Sequence, residues 1–573
     1  MGKNHKMCGI AGFLIKKTDI RNIKNYVPKL LESLRSRGPD SQGQWSDQHS
    51  KIFLLNTRLK IQDLTNKANM PMITGCKNYI ITYNGEIYNK NFLIKNHLKN
   101  ENLKTSSDTE VILLLYKKYK EACLSMLDGM FSIAIFDVKE NELFLARDPM
   151  GIKPLYYLED EDYFLFSSSI KSLMFYKNKI NYSSIINYFA LGYINDPNTI
   201  LKDVYSLEPG KYLKITNKNI KVKKYFELTD ILQSSHSEPD KYFIESIKKH
   251  FTKDVNSCLF LSSGTDSNII LSLLNNMMIK IPCVSINFET KDKKYINEEI
   301  NINKISKIHN IELITKKFCE EEVVFLRDKF IKNMDQPSTD GFNIFLASKI
   351  AKENNFKVAY SGLGGDELFC DYGNYQKITL IKKINNICET IGIKEFVRFF
   401  LKKIQFNNPK YSHVLDTNDI NELYFLVRSL FYKNEKINFL QHNLALEDFF
   451  SKIGKFKEND TAFKRISCNE YKIYMQNQLL RDGDWTSMYH SIELRLPFVN
   501  AELIKNCFQG SYKKNIRKEI LKRSNVNVYN LLKNINKIGF YTPYYAKTKY
   551  HNTLKDLSIT TMEQFININH LKF

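Results

Sequence analysis

A chain of 573 residues, 43% of them hydrophobic, is long enough for more than one domain and apolar enough to build globular cores. No apolar run approaches a membrane span, the stretch from Cys8 to Ile15 is too short for a signal peptide, and Met1-Gly2 lacks the Ser or Thr at position 6 that myristoylation needs. The ten cysteines form no CxxC pairs, which excludes a zinc ribbon or disulfide framework and suits a cytoplasmic location, and the net charge of +22 is spread along the chain without an RNA-binding signature, so the expected partners are small anionic molecules and not nucleic acid or membrane.

In chain order, Met7 to Phe13 opens the first strand, and Cys8 within it reads in isolation as a small core residue. Five polar blocks follow: Arg37-Gly38-Pro39-Asp40, Arg58-Leu59-Lys60-Ile61, Asn84-Gly85-Glu86-Ile87-Tyr88-Asn89, Ser107-Asp108-Thr109-Glu110, and Arg147 through Tyr157. For Arg58 or Asp108 alone, a surface salt bridge is the default reading. Leu207 to Leu213, with Pro209-Gly210 inside it, reads as a hairpin turn. The polar run from Asp230 to Asp240 is the most linker-like stretch, so the boundary is placed there, giving domains 8–228 and 240–573. Tyr242, Phe243, Ile247 and Phe251 then mark an amphipathic helix.

Cys258 to Leu261 is an apolar run that fits a strand buried on both faces. Ser262, Ser263 and Gly264 make a tight turn, after which Ile269, Ile270, Leu273, Leu274 and Met277 recur at helical spacing. The turn therefore delivers backbone amides to a helix N-terminus, where unpaired N–H groups and the helix dipole favour phosphate. Asp266 beside a phosphate is unfavourable unless a cation lies between them, and a hard ion such as Mg2+ resolves that conflict. Such a turn alone is as readily an ordinary strand-turn-helix corner. A second copy changes the balance: Val358, Ala359 and Tyr360 end another short apolar run, and Ser361-Gly362-Leu363-Gly364-Gly365-Asp366-Glu367 follows. Two Ser/Gly turns, each carrying an Asp after a strand, suit a parallel sheet with its ligand at the strands' carboxyl ends and Asp266 and Asp366 sharing one metal-nucleotide complex. Between the turns, Cys283 to Phe288 reads as a buried strand and Asn343 to Lys352 as a helix. Residues 375–464 are rich in Lys, Asn and Phe, read as helical, and carry no motif.

Together these blocks resemble the glutamine-hydrolysing asparagine synthetase family over nearly the whole chain. The N-terminal blocks look like the R-G-P-D, R-L-x-I, N-G-E-I-Y-N, S-D-x-E and R-D-x-x-G-x-K-P-L-Y-Y segments of class II glutamine amidotransferase domains. Ser262 to Ser267, with Ser263 where the family usually has Gly, resembles the pyrophosphate loop S-G-G-x-D-S of ATP pyrophosphatases, and Ser361 to Glu367 resembles their second ATP loop. Asp335-Gln336-Pro337 matches a D-x-P turn, Leu480 to Met488 and Ser491 to Phe498 resemble the D-R-x-S-M and S-x-E-x-R-x-P-F blocks, and Asn536 to Phe540 resembles R-x-K-x-G-F.

The resemblance implies two α/β and α+β domains: an αββα sandwich of the N-terminal-nucleophile hydrolase kind, then a parallel-sheet α/β ATP-pyrophosphatase domain with helical additions. It implies that Cys8 is a thiol nucleophile whose own α-amine is the base, with the Asn84 side chain and the Gly85 N–H as oxyanion hole. Glutamine would be held by Arg58, Ile61, Asn84, Gly85, Glu86 and Asp108, Arg58 pairing with its α-carboxylate and Asp108 with its α-ammonium. ATP would be bound by Leu261, Ser262, Ser263, Gly264, Asp266, Ser267, Ile286, Ser361 and Gly362, with Ile286 against the adenine through its backbone, Mg2+ on Asp266 and Asp366, and Lys537 stabilising charge at phosphorus. The implied reaction is an ammonia relay from glutamine to an acyl adenylate of aspartate, giving asparagine, AMP and pyrophosphate; the assembly is left open, a homodimer included.

Several departures matter. Met1 to Met7 precede Cys8, and an internal Cys has no free amine, so the active chain is expected to begin at Cys8. Leu363 stands where asparagine synthetases usually carry Glu, which keeps another acceptor open, such as a sugar uronic acid of a surface polysaccharide. Trp485 and Ile535 stand where Arg is common, and Ser168 and Ser169 fall where Ser-Glu is usual. Ser263, Leu363, Cys370, Trp485 and Ile535 together keep a third reading, a non-catalytic paralogue.

Overall fold

The computed structural model describes residues 8–17, 26–38, 40–49, 51–232, 239–290, 293–370, 373–403, 413–431, 453, 456–457, 459–508, 515–535 and 554–572. Among the described residues, twelve strands belong to the first half: β1 (Gly9–Ile15), β2 (Ser41–Ser46), β3 (Ile52–Arg58), β4 (Met72–Ile73), β5 (Tyr79–Ile87), β6 (Gly129–Asp137), β7 (Glu142–Arg147), β8 (Tyr156–Glu159), β9 (Tyr163–Ser167), β10 (Val204–Ser206), β11 (Lys211–Ile215) and β12 (Ile220–Lys224). They form two six-stranded sheets, ordered β10-β8-β9-β1-β3-β2 and β12-β11-β7-β6-β5-β4, and every pairing in them is antiparallel.

The alternation along β1 explains the layering. Ile10 and Leu14 point between the sheets, meeting Ile80, Phe136 and Leu145. Ala11, Phe13 and Ile15 point the other way, beneath Leu30 and Leu34 of helix α1 (Val27–Leu34). Across the second sheet, Tyr83, Phe131 and Ile133 lie under Val111, Ile112 and Leu115 of helix α2 (Asp108–Tyr119). The result is helix-sheet-sheet-helix, each fully buried Leu or Phe contributing roughly 1.5–3 kcal/mol.

The expectation of a hairpin at Leu207 to Leu213 is corrected. β10 pairs with β8 in one sheet, whereas β11 pairs with β7 and β12 in the other, so the turn carries the chain between layers. Gly210 serves that crossing with a φ of 68°, a left-handed conformation that a side chain would strain.

The second half is built on one parallel sheet of five strands, β13 (Ser257–Phe260), β14 (Cys283–Phe288), β15 (Leu313–Phe318), β16 (Val358–Tyr360) and β17 (Glu493–Arg495), in the order β15-β14-β13-β16-β17. The chain moves outward from β13 to β15, then returns to build the other side. The crevice between β13 and β16 is therefore the topological switch point, where ligands of open α/β sheets lie. Helix α3 (Pro239–His250) leads into this sheet, α4 (Thr265–Asn276) follows β13, α5 (Phe342–Glu353) leads into β16 and the short α6 (Gly365–Phe369) follows it. Within 375–464 the described residues include nearly all of helix Asn374–Thr390, helices Lys394–Lys403 and Ile420–Arg428, and the start of Ala462–Asn469.

Several of the motif residues join the halves. Asp484, on helix α7 (Leu480–Tyr489), accepts Arg37 Nη2 at 2.6 Å and Lys153 Nζ at 3.3 Å, with all three side chains buried. Asp335 of the D-x-P turn accepts Ser169 Oγ at 2.6 Å and the Ile170 N–H at 3.1 Å.

Candidate functional site

Two sites are assembled, one in each half. The first is a cleft, partly open to solvent, at the end of β1, β3 and β5, whose lining includes Cys8, Arg58, Ile61, Asn84, Gly85, Glu86 and Asp108. These seven residues, scattered over a hundred positions of sequence, meet because neighbouring strands bring their ends together. Cys8 sits immediately before β1, its Sγ 3.8 Å from the Leu59 carbonyl, and burial pushes the thiol up to about 12. Asn84 Nδ2 donates to Ser132 Oγ at 3.5 Å. A Cβ on Gly85 would lie 2.1 Å from the Met130 carbonyl oxygen, so only glycine lets β5 approach β6 here.

The charged residues of the cleft are already engaged. Arg58 Nη1 donates to the Thr65 carbonyl at 2.9 Å and Asn69 Oδ1 at 2.8 Å, and its Nη2 donates to the carbonyls of Gln62 and Asp63 at 3.1 and 2.6 Å. The guanidinium thus shapes the loop after β3 as well as facing the cleft. Asp108, the first residue of α2, accepts Tyr83 Oη at 2.9 Å and the Ile87 N–H at 3.0 Å. Glu86 accepts Gln62 Nε2 and lies 3.2 Å from Arg495 Nη2 of the second half; burial pushes its carboxyl up to about 8 against that pairing. Glu493, also from the second half, completes the lining.

The second site lies at the switch point. In the turn after β13, Ser262 Oγ accepts the Gly264 N–H at 3.1 Å, and Asn268 Nδ2 donates to the carbonyls of Ser262 and Gly264 at 3.0 and 2.7 Å. No side chain caps α4, so its first amides face the turn. Leu261 donates its N–H to the Val284 carbonyl at 2.9 Å, and Ile286 lies half-buried on β14 beside it. Ser267 Oγ accepts the Ser262 N–H at 3.3 Å, and Ser263 donates both its N–H and its Oγ to Glu298 at 3.4 Å.

The turn after β16 packs directly on the first. A Cβ on Gly362 would lie 2.8 Å from the Asp266 Cβ, and one on Gly365 would lie 2.5 Å from the Asp266 carboxylate. Asp266 and Asp366 therefore meet, as the paired turns predict, and one guanidinium joins them. Arg517 Nη1 donates to both Asp266 oxygens at 2.7 and 2.6 Å, and its Nη2 lies 2.7 Å from Asp366 Oδ1. Arg517 comes from helix α8 (Ile516–Ser524), which packs on α4. Two buried carboxylates facing one cation are a hard-oxygen donor pair of the kind Mg2+ takes, so the residues fit that ion.

Sequence reasoning missed Arg517, Glu298, Glu493 and Arg495. The last two lay inside a block already singled out, and their spacing on a strand (i, i+2) was the available signal that they share a face. Lys537 lies outside the described residues, as do residues 1–7 of the leader.

A model of the glutamine amidotransferase domain matches residues 7–226, and one of asparagine synthase matches residues 240–537. The chain belongs to the asparagine synthase family. Among its relatives, asparagine synthetase [glutamine-hydrolyzing] 1 of Bacillus subtilis is 28% identical over 515 residues, 86% of this chain and 79% of the relative. Putative asparagine synthetase [glutamine-hydrolyzing] 2 of Methanocaldococcus jannaschii is 32% identical over 425 residues, 68% of this chain and 80% of the relative. In the turn after β16, Leu363 is a partly buried side chain packed against the main core.

Proposed function

We propose that this chain is a glutamine-dependent asparagine synthetase, with its first half releasing ammonia and its second half activating aspartate. The observation that carries the reading is the meeting of Asp266 and Asp366 at the switch point of one half while Cys8, Asn84 and Gly85 share a cleft in the other.

In the cleft, the Cys8 sulfur attacks the glutamine side-chain carbonyl, the Asn84 amide and the Gly85 N–H receive the oxyanion, and the amide nitrogen leaves as ammonia carrying the thiol's proton; water then hydrolyses the γ-glutamyl thioester, releasing glutamate and restoring the thiol. A thiol raised to about 12 carries almost no thiolate at neutral pH, so a base is required. We assign that role to the α-amine of a chain beginning at Cys8. Arg58 and Asp108 take the charged ends of glutamine, Ile61 packs along it and Glu86 closes the pocket.

At the switch point, Leu261, Ser262, Ser263, Gly264, Ser267, Ile286, Ser361 and Gly362 bind ATP, with the bare amides of α4 on its phosphates. An oxygen of the acceptor carboxylate attacks the α-phosphorus and pyrophosphate departs; ammonia then attacks the acyl carbon and AMP leaves. Mg2+ held by Asp266 and Asp366 would supply charge neutralisation on the departing pyrophosphate. Lys537 is assigned to the charge at phosphorus. All ten cysteines are free thiols, which suits action in a reducing cytoplasm on small molecules, without nucleic acid or membrane.

Leu363 favours a second reading. It cannot accept or donate a hydrogen bond at the loop expected to face the acceptor, so a carboxylate other than aspartate, such as a sugar uronic acid, is the alternative. Pyrophosphate release with ammonium as nitrogen source, measured over a panel of acceptors, tests both: the first reading requires aspartate to lead the panel, and failure of every carboxylate would refute the enzyme.

A further inference from the structure

Arg495 touches both sites at once. It is the last residue of β17 and only 1% exposed. Its backbone carbonyl accepts the N–H of Ser361, the first residue of the second ATP turn, at 3.1 Å. Its guanidinium reaches the other way, into the first half. Nε donates to Glu493 Oε1 at 2.7 Å and Nη1 to the His250 carbonyl at 2.6 Å, both in the second half, and Nη2 lies 3.2 Å from Glu86 Oε1 of the first half. Glu86 and Glu493 are both in the lining of the glutamine cleft.

The cleft is therefore incomplete without the second half, and the link is short. From the Ser361 amide to the Glu86 carboxylate the path runs through one residue. The planar fork of this arginine, hydrogen-bonded through Nε and Nη1 and ion-paired to Glu86 through Nη2, cannot shift at one end without changing its geometry at the others. Glu86 is also poised to respond. It is buried beside Asp108 and Glu493, both of which disfavour its charge, and Arg495 is the largest influence in favour of it. A small displacement of the guanidinium alters both the place and the charge of a group that closes the pocket.

We propose that Arg495 is a positioning residue that couples occupancy of the Ser361 turn to the affinity of the cleft for glutamine. The proposal rests on the assignment of the cleft to glutamine and of the turn to ATP. Coupling of this kind is reciprocal, so glutamine changes nucleotide affinity by the same factor.

The test is calorimetric binding of L-glutamine to the full chain carrying Cys8→Ala, which prevents turnover and removes any dependence on the Cys8 amine. Each titration is run with and without saturating α,β-methylene-ATP and Mg2+. We expect the analogue to change the glutamine Kd by at least about fivefold, the lower end of ordinary allosteric couplings. Arg495→Met should weaken glutamine binding at least about tenfold and erase the change. Arg495→Lys keeps the charge but not the fork, so it should recover part of the affinity without the coupling, and it carries the test should the Met variant fail to fold. A coupling that survives in Arg495→Lys, or a native chain whose glutamine Kd ignores the analogue, overturns the proposal. Absence of glutamine binding in the native pocket overturns the glutaminase assignment beneath it, while analogue binding in the same titrations reports the ATP assignment separately.

Discussion

Arg517 holds the two carboxylates that Mg2+ would hold, and this predicts how the protein responds to the ion. Asp266 and Asp366 are 9% and 7% exposed, so replacing Arg517 by Met leaves two buried negative charges facing each other. Loss of one partner from a buried ionic cluster costs about 3–5 kcal/mol. Part of this should return when Mg2+ takes the place of the guanidinium, because a ligand present at a hundred times its Kd stabilises the state that binds it by about 2.7 kcal/mol. The native chain, in which the guanidinium already occupies the space between the two carboxylates, should respond to Mg2+ by under about 1 kcal/mol unless nucleotide is added to draw the arginine away. Urea unfolding of both proteins, with and without 10 mM Mg2+ (on the order of a hundred times a sub-millimolar Kd), measures each quantity. Equal responses to Mg2+ in the two proteins, or a loss below about 1 kcal/mol in Arg517→Met without the ion, would refute the account of Arg517 as a stand-in cation.

Asp266→Asn and Asp366→Asn should each abolish pyrophosphate release while glutaminase activity continues, since both carboxylates lie only at the switch point; near-normal synthesis at limiting Mg2+ would rule out the shared site. Leu363→Glu should raise the aspartate-dependent rate where aspartate is a poor native substrate, and efficient native use of aspartate would make Leu363 uninformative about the acceptor. A chain retaining Met1 to Met7 should make product from ammonium but lose about two to four orders of magnitude in glutamine hydrolysis relative to one beginning at Cys8, as read by intact mass together with a glutaminase assay. Asp484→Asn leaves Arg37 and Lys153 buried without their counter-charge and should cost about 3–5 kcal/mol in denaturant unfolding, with Lys153→Met in the same chain recovering part of it.

The local parts of this structure could be read from the residues because their causes are local. Cys283 to Phe288 is a strand at its expected bounds, β16 ends where its small-residue turn begins and β13 stops one residue short of Ser262, since apolar runs and Ser/Gly turns are short-range signals. The meeting of Asp266 and Asp366 was legible too, because two similar turns after parallel strands have one place to converge. What escaped was set by tertiary geometry. Arg517 is one of 84 basic residues, and nothing around it in sequence says that α8 lies along α4. The turn at Pro209-Gly210 has the composition of a hairpin, and only the pairing of β10 and β11 in different sheets reveals the crossing. Glu493 and Arg495 were visible as a pattern, yet their reach into the other half depends on where β17 lies in the sheet.

The buried cluster at Asp484 also constrains how the chain can be made. Arg37 and Asp484 are separated by 447 positions, so at ribosomal speeds of about 5–20 residues per second the first half waits roughly 20 to 90 s for its counter-charge. During that interval Arg37 and Lys153 must stay hydrated on an open face. The surface of the first half around Arg37 and Lys153 is completed only when α7 has left the ribosome and docked. Synthesis order thus turns a static ion cluster into a timed latch, one that a fragment ending before Asp484 can never close.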